Sequence, residues 1–584
     1  MDDFIFGTLS TDSLRQGRVR ELHSGVTHAF QRDPLDPKPD QPLTLHLTAG
    51  PDYHTTKAWV YWTTDGTDPL GSGGIAGNGL ATEMTPSGAE WDLPLWGYIQ
   101  HFTAELPPLR AGTRLRYRCA AETVCRGEVF ADKGTYYGLY IDHDPLPEWA
   151  SQAVVYHILL DRFNPGSGRS WQTPTEMSGF FGGTLQGVTE KLDYLADLGF
   201  NAIWLSPIFP SPSHHGYDAT DLYTIEPRYG TLQDFQNLVA QAHQRGIRII
   251  LDYVPNHWSS GHATFQQALA NPSSPYRDWY FFEGSSQKYD CFFGVAGLPK
   301  LNLRHPDARQ YMLDSACFWL KQGADGFRLD YTVGPTPDFW ADFRWATRQV
   351  KADCWTFGEV VESAMSLPPF TGLLDGCLDF MLVEALREAF AFNRWDACRL
   401  GSFLSRHQQY QPAGLMRPSF LDNHDMNRFL WTAGDDLKRL RLAALVQFTL
   451  PQPPIVYYGT ETGLSQKADC MHAGRVIPEE SRQPLRWDKA NPALQVYYHK
   501  LIGLRHEHTC LQTGTWKQVW ADPKALVYSM TGPKETLYVA VNLSSDDVKI
   551  TLPQTCKLLL HSESDTSLSG TALTLPPLGG VVVG

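Results

Sequence analysis

Four segments of the 584-residue chain concentrate residue types that could do chemistry: Asp252-Tyr-Val-Pro-Asn-His257, Gly326-Phe-Arg-Leu-Asp330, Phe357-Gly-Glu359 and Phe420-Leu-Asp-Asn-His-Asp425. Three of them end on a carboxylate that no neighbouring motif explains. Retaining cleavage of a glycosidic bond needs a nucleophile and an acid/base roughly 5–5.5 Å apart. Asp330, Glu359 and Asp425 supply that pair and a third carboxylate suited to hydrogen-bonding sugar hydroxyls and stabilising positive charge at the anomeric carbon. Its proximity would also raise the pKa of the acid. Arg328 lies two residues before Asp330, so on a strand both point to the same side, where the guanidinium would hold Asp330 ionised and oriented. Any one Asp, Glu or His is more often a cap, a surface charge or a structural hydrogen-bonder than a catalyst. Asp252 is read in that way, as a structural partner; the joint pattern is what stands apart.

These segments need a scaffold that brings them together. Short β-branched or aromatic runs begin at Val154–Ile158, Ala202–Ser206, Ile247–Val254, Gly326–Asp330, Trp355–Glu359, Cys377–Met381, Ser419–Asp422 and Ile455–Tyr458. Amphipathic stretches lie between several of them: Phe235, Leu238, Val239 and Ala242 are spaced as one helix face, as are Ala308, Tyr311, Met312 and Ser315. This alternation reads as an α/β fold, a closed (β/α)8 barrel, with a doubly wound sheet as the alternative that gives similar units. In a barrel the reacting groups belong at the C-terminal ends of the strands, where the polar segments fall. Residues 258–305 are too long for an ordinary loop and read as an inserted subdomain after strand three. Residues 1–145 offer strand-like runs such as Lys57–Thr63 and Arg114–Cys119, broken by turns such as Asp65-Gly66, and predict a β-sandwich. Residues 146–509 then form the catalytic domain. Residues 510–584 return to strand and turn texture, a second β-sandwich.

Formal net charge is −14, which argues against a nucleic-acid partner, and no apolar run reaches the ~20 residues of a membrane span. The start, Met-Asp-Asp-Phe-Ile-Phe-Gly, lacks a basic and apolar leader, so the expected location is the cytoplasm. The cysteines show neither zinc-ligand nor redox spacing and are expected to be reduced packing residues. Of Trp59, Trp62, Trp91 and Trp96, most are expected in the core of the first sandwich, with a glucan platform or homodimer surface as the other reading.

The four segments, in this order, resemble the conserved regions of the alpha-amylase family, glycoside hydrolase family 13, over about Ala153 to Gly584. The resemblance implies Asp330 as nucleophile, Glu359 as acid/base and Asp425 as transition-state stabiliser. It also implies Arg328, His257 and His424 as contacts to the sugar at the cleavage point, and Tyr217, in His215-Gly-Tyr217, as the ring on which that sugar stacks. Leu298-Pro-Lys-Leu-Asn302 is similar to a motif of neopullulanases, cyclomaltodextrinases and maltogenic amylases, which also carry an N-terminal β-domain. The chain departs from that group at Tyr331-Thr-Val-Gly334, at Val360-Val361, in the loop Asn164-Pro-Gly-Ser-Gly168, and at Thr184. Fewer carboxylates in that loop weaken a calcium site, so no metal ligands are assigned and no cofactor is required, calcium being the one the family would suggest.

The implied function is a retaining hydrolase of α-1,4 glucosidic bonds in maltodextrins, cyclodextrins or pullulan, with α-1,6 bonds as a further substrate. Two other classes fit the scaffold: a glucan transglycosylase or trehalose-synthase-like isomerase, and a glucan-binding protein without activity. Retention of all three carboxylates and Arg328 argues against the last.

Overall fold

The computed structural model describes residues 12–143, 146–410, 412, 414–471 and 478–584. At its centre lie parallel strands in the order Gly376–Cys377, Trp355–Gly358, Gly326–Leu329, Arg248–Tyr253, Ala202–Leu205, Val155–Ile158 and Ile455–Tyr457. The ring is closed between the first and last of these by extended chain at residues 416–419. Met416 bridges to Gly376 and Ser419 bridges to Pro454, both in parallel. The expected strand at Ser419–Asp422 is therefore replaced by two isolated bridges, and Pro418, which has no N–H to give, sits between them. Its carbonyl accepts from Asp379 N–H at 3.0 Å. The expected strand Cys377–Met381 is also shorter. Asp379 caps the helix Phe380–Leu386 by accepting from Leu382 N–H at 3.0 Å, which ends the strand after Cys377.

The helices follow their apolar spacing. Leu232–Gln244 starts on a reciprocal capping box between Thr231 and Asp234, and buries Phe235, Leu238, Val239 and Ala242 against the barrel. Pro306–Lys321 buries Ala308, Met312, Ser315, Ala316 and Trp319. Strand alternation separates core from chemistry: Phe327 points outward to Phe343 of the helix Pro337–Val350, ring centroids 5.8 Å apart, while Arg328 faces inward.

Between residues 26 and 140 nine strands build a sheet folded on itself, with a separate two-stranded hairpin at Leu70–Asn78. In the long strand Leu80–Asp92, residues 80–84 pair with Thr55–Thr63 and residues 85–92 pair with Gly97–Leu106, so one strand serves both layers. Trp59 and Trp62 are each 5% exposed, whereas Trp91 is 47% and Trp96 73% exposed. The expectation that most of these tryptophans are core is met by only half of them. Trp91 pairs across the hairpin with Tyr98, and Trp96 occupies its turn, beyond the reach of the opposite layer. Strand Tyr137–Tyr140 lies on the helix Pro337–Val350 so closely that a Cβ on Gly138 would come 2.9 Å from that of Ala341. Next to it, Asp338, fully buried, takes hydrogen bonds from Arg304 and Arg309 at 2.6 Å each. At the other end of the chain, a five-stranded and a three-stranded sheet share a core of Val527, Ala540, Ile550, Leu573 and Val581.

Residues 258–305 are tied to the barrel rim by a bridge from His257 to Lys300, are closed internally by a bridge from Tyr280 to Leu301, and contain the helix Ala263–Ala270. The cysteines are all free. Among the described residues no helix is long and apolar enough to cross a membrane.

Candidate active site

Arg328 organises the site. It is fully buried, and each arm of its guanidinium meets a carboxylate: Nη1 lies 2.9 Å from Asp330 Oδ1, and Nη2 lies 2.7 Å from Glu359 Oε1. Nη1 also donates to Asp252 Oδ1 at 2.9 Å. Asp252 accepts from Tyr217 Oη at 2.7 Å and from Trp204 Nε1 at 3.0 Å, which makes it the strut behind the site. Asp425 stands at the end of the extended segment. His424 Nε2 is 2.9 Å from its Oδ2, and the His424 ring is parallel to that of Tyr217 with centroids 5.0 Å apart. The seven site residues expected from sequence are thus linked: Arg328 joins Asp330 to Glu359, Asp252 joins Arg328 to Tyr217, and Tyr217 stacks on His424. His257 lies beside them, its ring hydrogen-bonded to the Tyr217 backbone.

Burial and charge pull these groups in different directions. Burial pushes Asp330 well above the usual carboxylate range, and Glu359, Asp252 and Asp425 add to the rise while Arg328 opposes it. The guanidinium orients Asp330 but does not by itself hold it at an ordinary acidity. Glu359 is raised too, by burial and by Asp425, against Arg328 and a hydrogen bond of 3.1 Å from Tyr331 N–H to its Oε2. Asp425 is also pushed up by burial, but His424, Arg482 and Arg328 outweigh this and hold it well below the usual range. Burial lowers His257 to about 3, so its ring is neutral.

Arg482 is the partner that sequence reading missed. It is buried, with Nη2 at 3.0 Å from Asp425 Oδ1 and Nε at 2.8 Å from the His424 carbonyl. Arg428, three residues after Asp425, donates to the carbonyls of Ser481 and Tyr458, each at 2.9 Å, and so fixes the segment that presents Arg482.

The inserted segment adds aromatic rings. Phe292 lies nearly parallel to His257 at 4.3 Å, and Phe292 and Phe293 meet the Tyr331 ring edge-on at 4.7 and 5.6 Å. Tyr331 and Phe293 have φ of 40° and 46°, a left-handed backbone that side chains rarely adopt. At Tyr331 this conformation accompanies the turn of its N–H onto Glu359.

The loop that would hold calcium in the resembling family is closed by its own hydrogen bonds. Thr184 Oγ1 donates to the Pro165 carbonyl at 3.0 Å and accepts from Gly187 N–H at 2.9 Å, while Glu190 takes the Ser167 N–H. These residues do not assemble the set of oxygen ligands that a hard cation needs. Among the described residues no group of three or more His, Cys, Asp and Glu gathers as a metal site.

A parallel barrel that gathers three carboxylates and a buried arginine at the C-terminal ends of its strands is the architecture of a barrel glycoside hydrolase. Residues 157–496 match the family model described as the alpha amylase catalytic domain, and residues 526–582 match that of the alpha-amylase SusG C-terminal domain. The chain belongs to the alpha-amylase family and is a glycoside hydrolase acting on α-glucans. It is 32% identical to alpha-amylase 2 of Dictyoglomus thermophilum, over 94% of this chain and 93% of that protein. It is likewise 32% identical to a cyclomaltodextrinase of Geobacillus thermopakistaniensis, over 83% and 88%. The solved cyclic α-maltosyl-(1→6)-maltose hydrolase of Arthrobacter globiformis superposes with a TM-score of 0.67 at 28% identity, covering 75% of this chain and 99% of that one.

Proposed function

We propose that the protein cleaves α-1,4 bonds of maltodextrins and cyclodextrins by double displacement, with Asp330 as nucleophile, Glu359 as acid/base and Asp425 as stabiliser of the transition state. The observation that carries this reading is the Arg328 fork, which places Asp330 and Glu359 on adjacent nitrogens of one guanidinium. That arrangement suits the short separation of a retaining pair. Glu359 gives its proton to the leaving oxygen as an Asp330 oxygen bonds to the anomeric carbon. Water, deprotonated by Glu359, then displaces Asp330. Tyr217 offers its ring to the sugar, and His257, Arg328 and His424 contact it. Burial raises both carboxyls, which favours keeping a proton on the pair, the form that the first step requires.

Tyr331 gives its N–H to Glu359 and its ring packs on Phe292 and Phe293, so this aromatic cluster would adjoin the departing sugar and favour a sugar acceptor over water when acceptor is plentiful. Action on α-1,6 bonds and pullulan rests on relatives, among them a neopullulanase of Thermoactinomyces vulgaris 34% identical over 70% of this chain. A cytoplasmic location has similar support, from an intracellular maltogenic amylase of Bacillus subtilis. Catalysis proceeds without a metal or other cofactor, and the exposed Trp91 and Trp96 are the surface through which the N-terminal domain would pair two copies.

Initial rates and products with maltoheptaose, β-cyclodextrin and pullulan test the reading. Glucose and maltose released by the wild type, and no turnover by a folded Asp330→Asn variant, are expected. Unchanged turnover in that variant overturns it. Linkage-rearranged disaccharide as the first product from maltotriose would favour the isomerase alternative.

A further inference from the structure

The turn Tyr331-Thr-Val-Gly334, where the chain departs from the group it resembles, follows the nucleophile directly and lies against the acid/base. Two of its residues grip Glu359 at different points. Tyr331 gives its N–H to Oε2, and Thr332 gives its N–H to the Glu359 carbonyl, each at 3.1 Å. Thr332 is fully buried against the strand that delivers Glu359: a Cβ on Gly358 would come 2.5 Å from Thr332 Oγ1.

An aromatic residue in a left-handed backbone needs neighbours that hold it there. Thr332 Oγ1 donates to the Leu329 carbonyl at 2.9 Å and so ties the turn to the nucleophile's own strand. Gly334 N–H donates to the Tyr331 carbonyl at 2.9 Å, and Trp340 Nε1, from helix Pro337–Val350, donates to the Thr332 carbonyl at 3.0 Å. Gly334 ends the turn where any Cβ would collide with Asn256 Oδ1.

The Tyr331 N–H acts within a crowded set of charges. Arg328 and Asp330 face Glu359 from the neighbouring strand, and His424 and Asp425 from the segment that closes the ring. Burial and Asp425 raise Glu359, while Arg328, the Tyr331 N–H and His424 oppose the rise. Each carboxyl oxygen therefore meets a donor, Oε1 the Arg328 Nη2 and Oε2 the Tyr331 N–H. A donor N–H favours the charged form of a carboxyl. It thus supports the ionised Glu359 that takes a proton from water in the second step, against burial, which supports the protonated form used in the first.

We propose that Thr332 is a positioning residue for the acid/base: its buried hydroxyl anchors the turn and so keeps the Tyr331 N–H on Glu359, a role that rests on the reading of Glu359 as acid/base.

The pH profile of kcat/KM with maltotriose tests it. Thr332→Val keeps the side-chain shape and removes the bond to Leu329. Its basic limb should move up by about 1 pH unit, the worth of one hydrogen bond to a charged oxygen, with the acid limb in place. Thr332→Ser, which keeps the hydroxyl, should retain the wild-type limb. Gly334→Ala, which displaces the same turn through Asn256, should shift the limb as Thr332→Val does, and serves in its place if that variant does not fold. Tyr331→Asn loses the ring but keeps the N–H on a residue that tolerates a left-handed backbone, so turnover should fall while the basic limb stays. A turn that only supported the fold would lower kcat at every pH without moving the limb. An unmoved limb in folded Thr332→Val, or a shift as large in Thr332→Ser or Tyr331→Asn, overturns the proposal. If Glu359→Gln itself keeps the basic limb, the acid/base reading fails and this role falls with it; if Glu359→Gln loses the limb while Thr332→Val keeps it, only the role of Thr332 fails.

Discussion

Replacing Glu359 by Gln separates the acid/base role from the rest of the site. The two carboxyls of a retaining pair about 5.5 Å apart repel by about 3 kcal/mol at an effective dielectric near 20, which is about 2 pH units. The wild type should therefore show a bell-shaped kcat/KM profile. Its acid limb is set by ionisation of Asp330 and its basic limb by loss of the Glu359 proton, with the basic limb displaced upward by the charge on Asp330. Glu359→Gln cannot lose a proton there, so the basic limb should vanish. The acid limb should stay nearly in place, because a protonated Glu359 and a glutamine are both neutral neighbours of Asp330. Turnover of maltotriose should fall about 10²–10⁴-fold, while a glycosyl fluoride, which leaves without a proton, should lose far less in the first step. The structure also sets a folding cost. Glu359 accepts from Tyr331 N–H through Oε2 and meets Arg328 through Oε1, and one amide oxygen cannot do both. The buried guanidinium loses the carboxylate charge opposite its Nη2, so a lower melting temperature should accompany the kinetic change. A basic limb that survives in Glu359→Gln, or equal losses with maltotriose and the fluoride, would refute the assignment.

Arg482→Gln removes a hydrogen bond to a buried charged carboxylate, worth about 1.5–3 kcal/mol, so kcat/KM should drop roughly 10–100-fold with Arg482→Lys in between; wild-type kinetics in Arg482→Gln would show that Asp425 does not need it. Phe293→Ala should lower the ratio of transfer to hydrolysis at high maltotriose about 3–10-fold, the worth of one aromatic contact, and an unchanged ratio would remove the rings from the acceptor side. Asp338 is pushed up by burial, but Arg309, Arg304 and Arg116 outweigh that and hold it below the ordinary Asp value. Its contribution to stability is then full above the unfolded value near 4 and is lost as pH falls through the lower folded one. Asp338→Ala should cost about 3–5 kcal/mol at neutral pH and less in acid, measured by denaturant unfolding at both; a cost that does not shrink in acid would contradict the ion-pair account.

How much of this was legible in the sequence depended on whether neighbours along the chain are also neighbours in space. Arg328 and Asp330 share a strand face because side chains alternate, and Phe327 and Leu329 are buried on the other side for the same reason. Helix Leu232–Gln244 announced its buried face through apolar spacing and its start through Thr231 and Asp234. Arg482 announced nothing: it lies 57 residues after Asp425 in irregular chain, where no periodicity marks a partner. The closing strand failed for a local reason, Pro418, and the two tryptophan pairs parted company because burial depends on the opposite layer, which a strand pattern does not reveal.

The sequence alone determined which groups could react, the order in which the barrel strands deliver them, and the parity that turns Arg328 and Asp330 inward, because alternation and helical spacing are properties of a local backbone. Only the tertiary structure decided their acidity and their companions. Arg328 reaches Glu359 from a neighbouring strand, Arg482 reaches Asp425 from a distant loop, and Phe292 comes from the inserted segment to lie on His257. Burial and charge act through space, so opposite shifts on Asp330 and Asp425 arise from surroundings that the chain assembles only on folding.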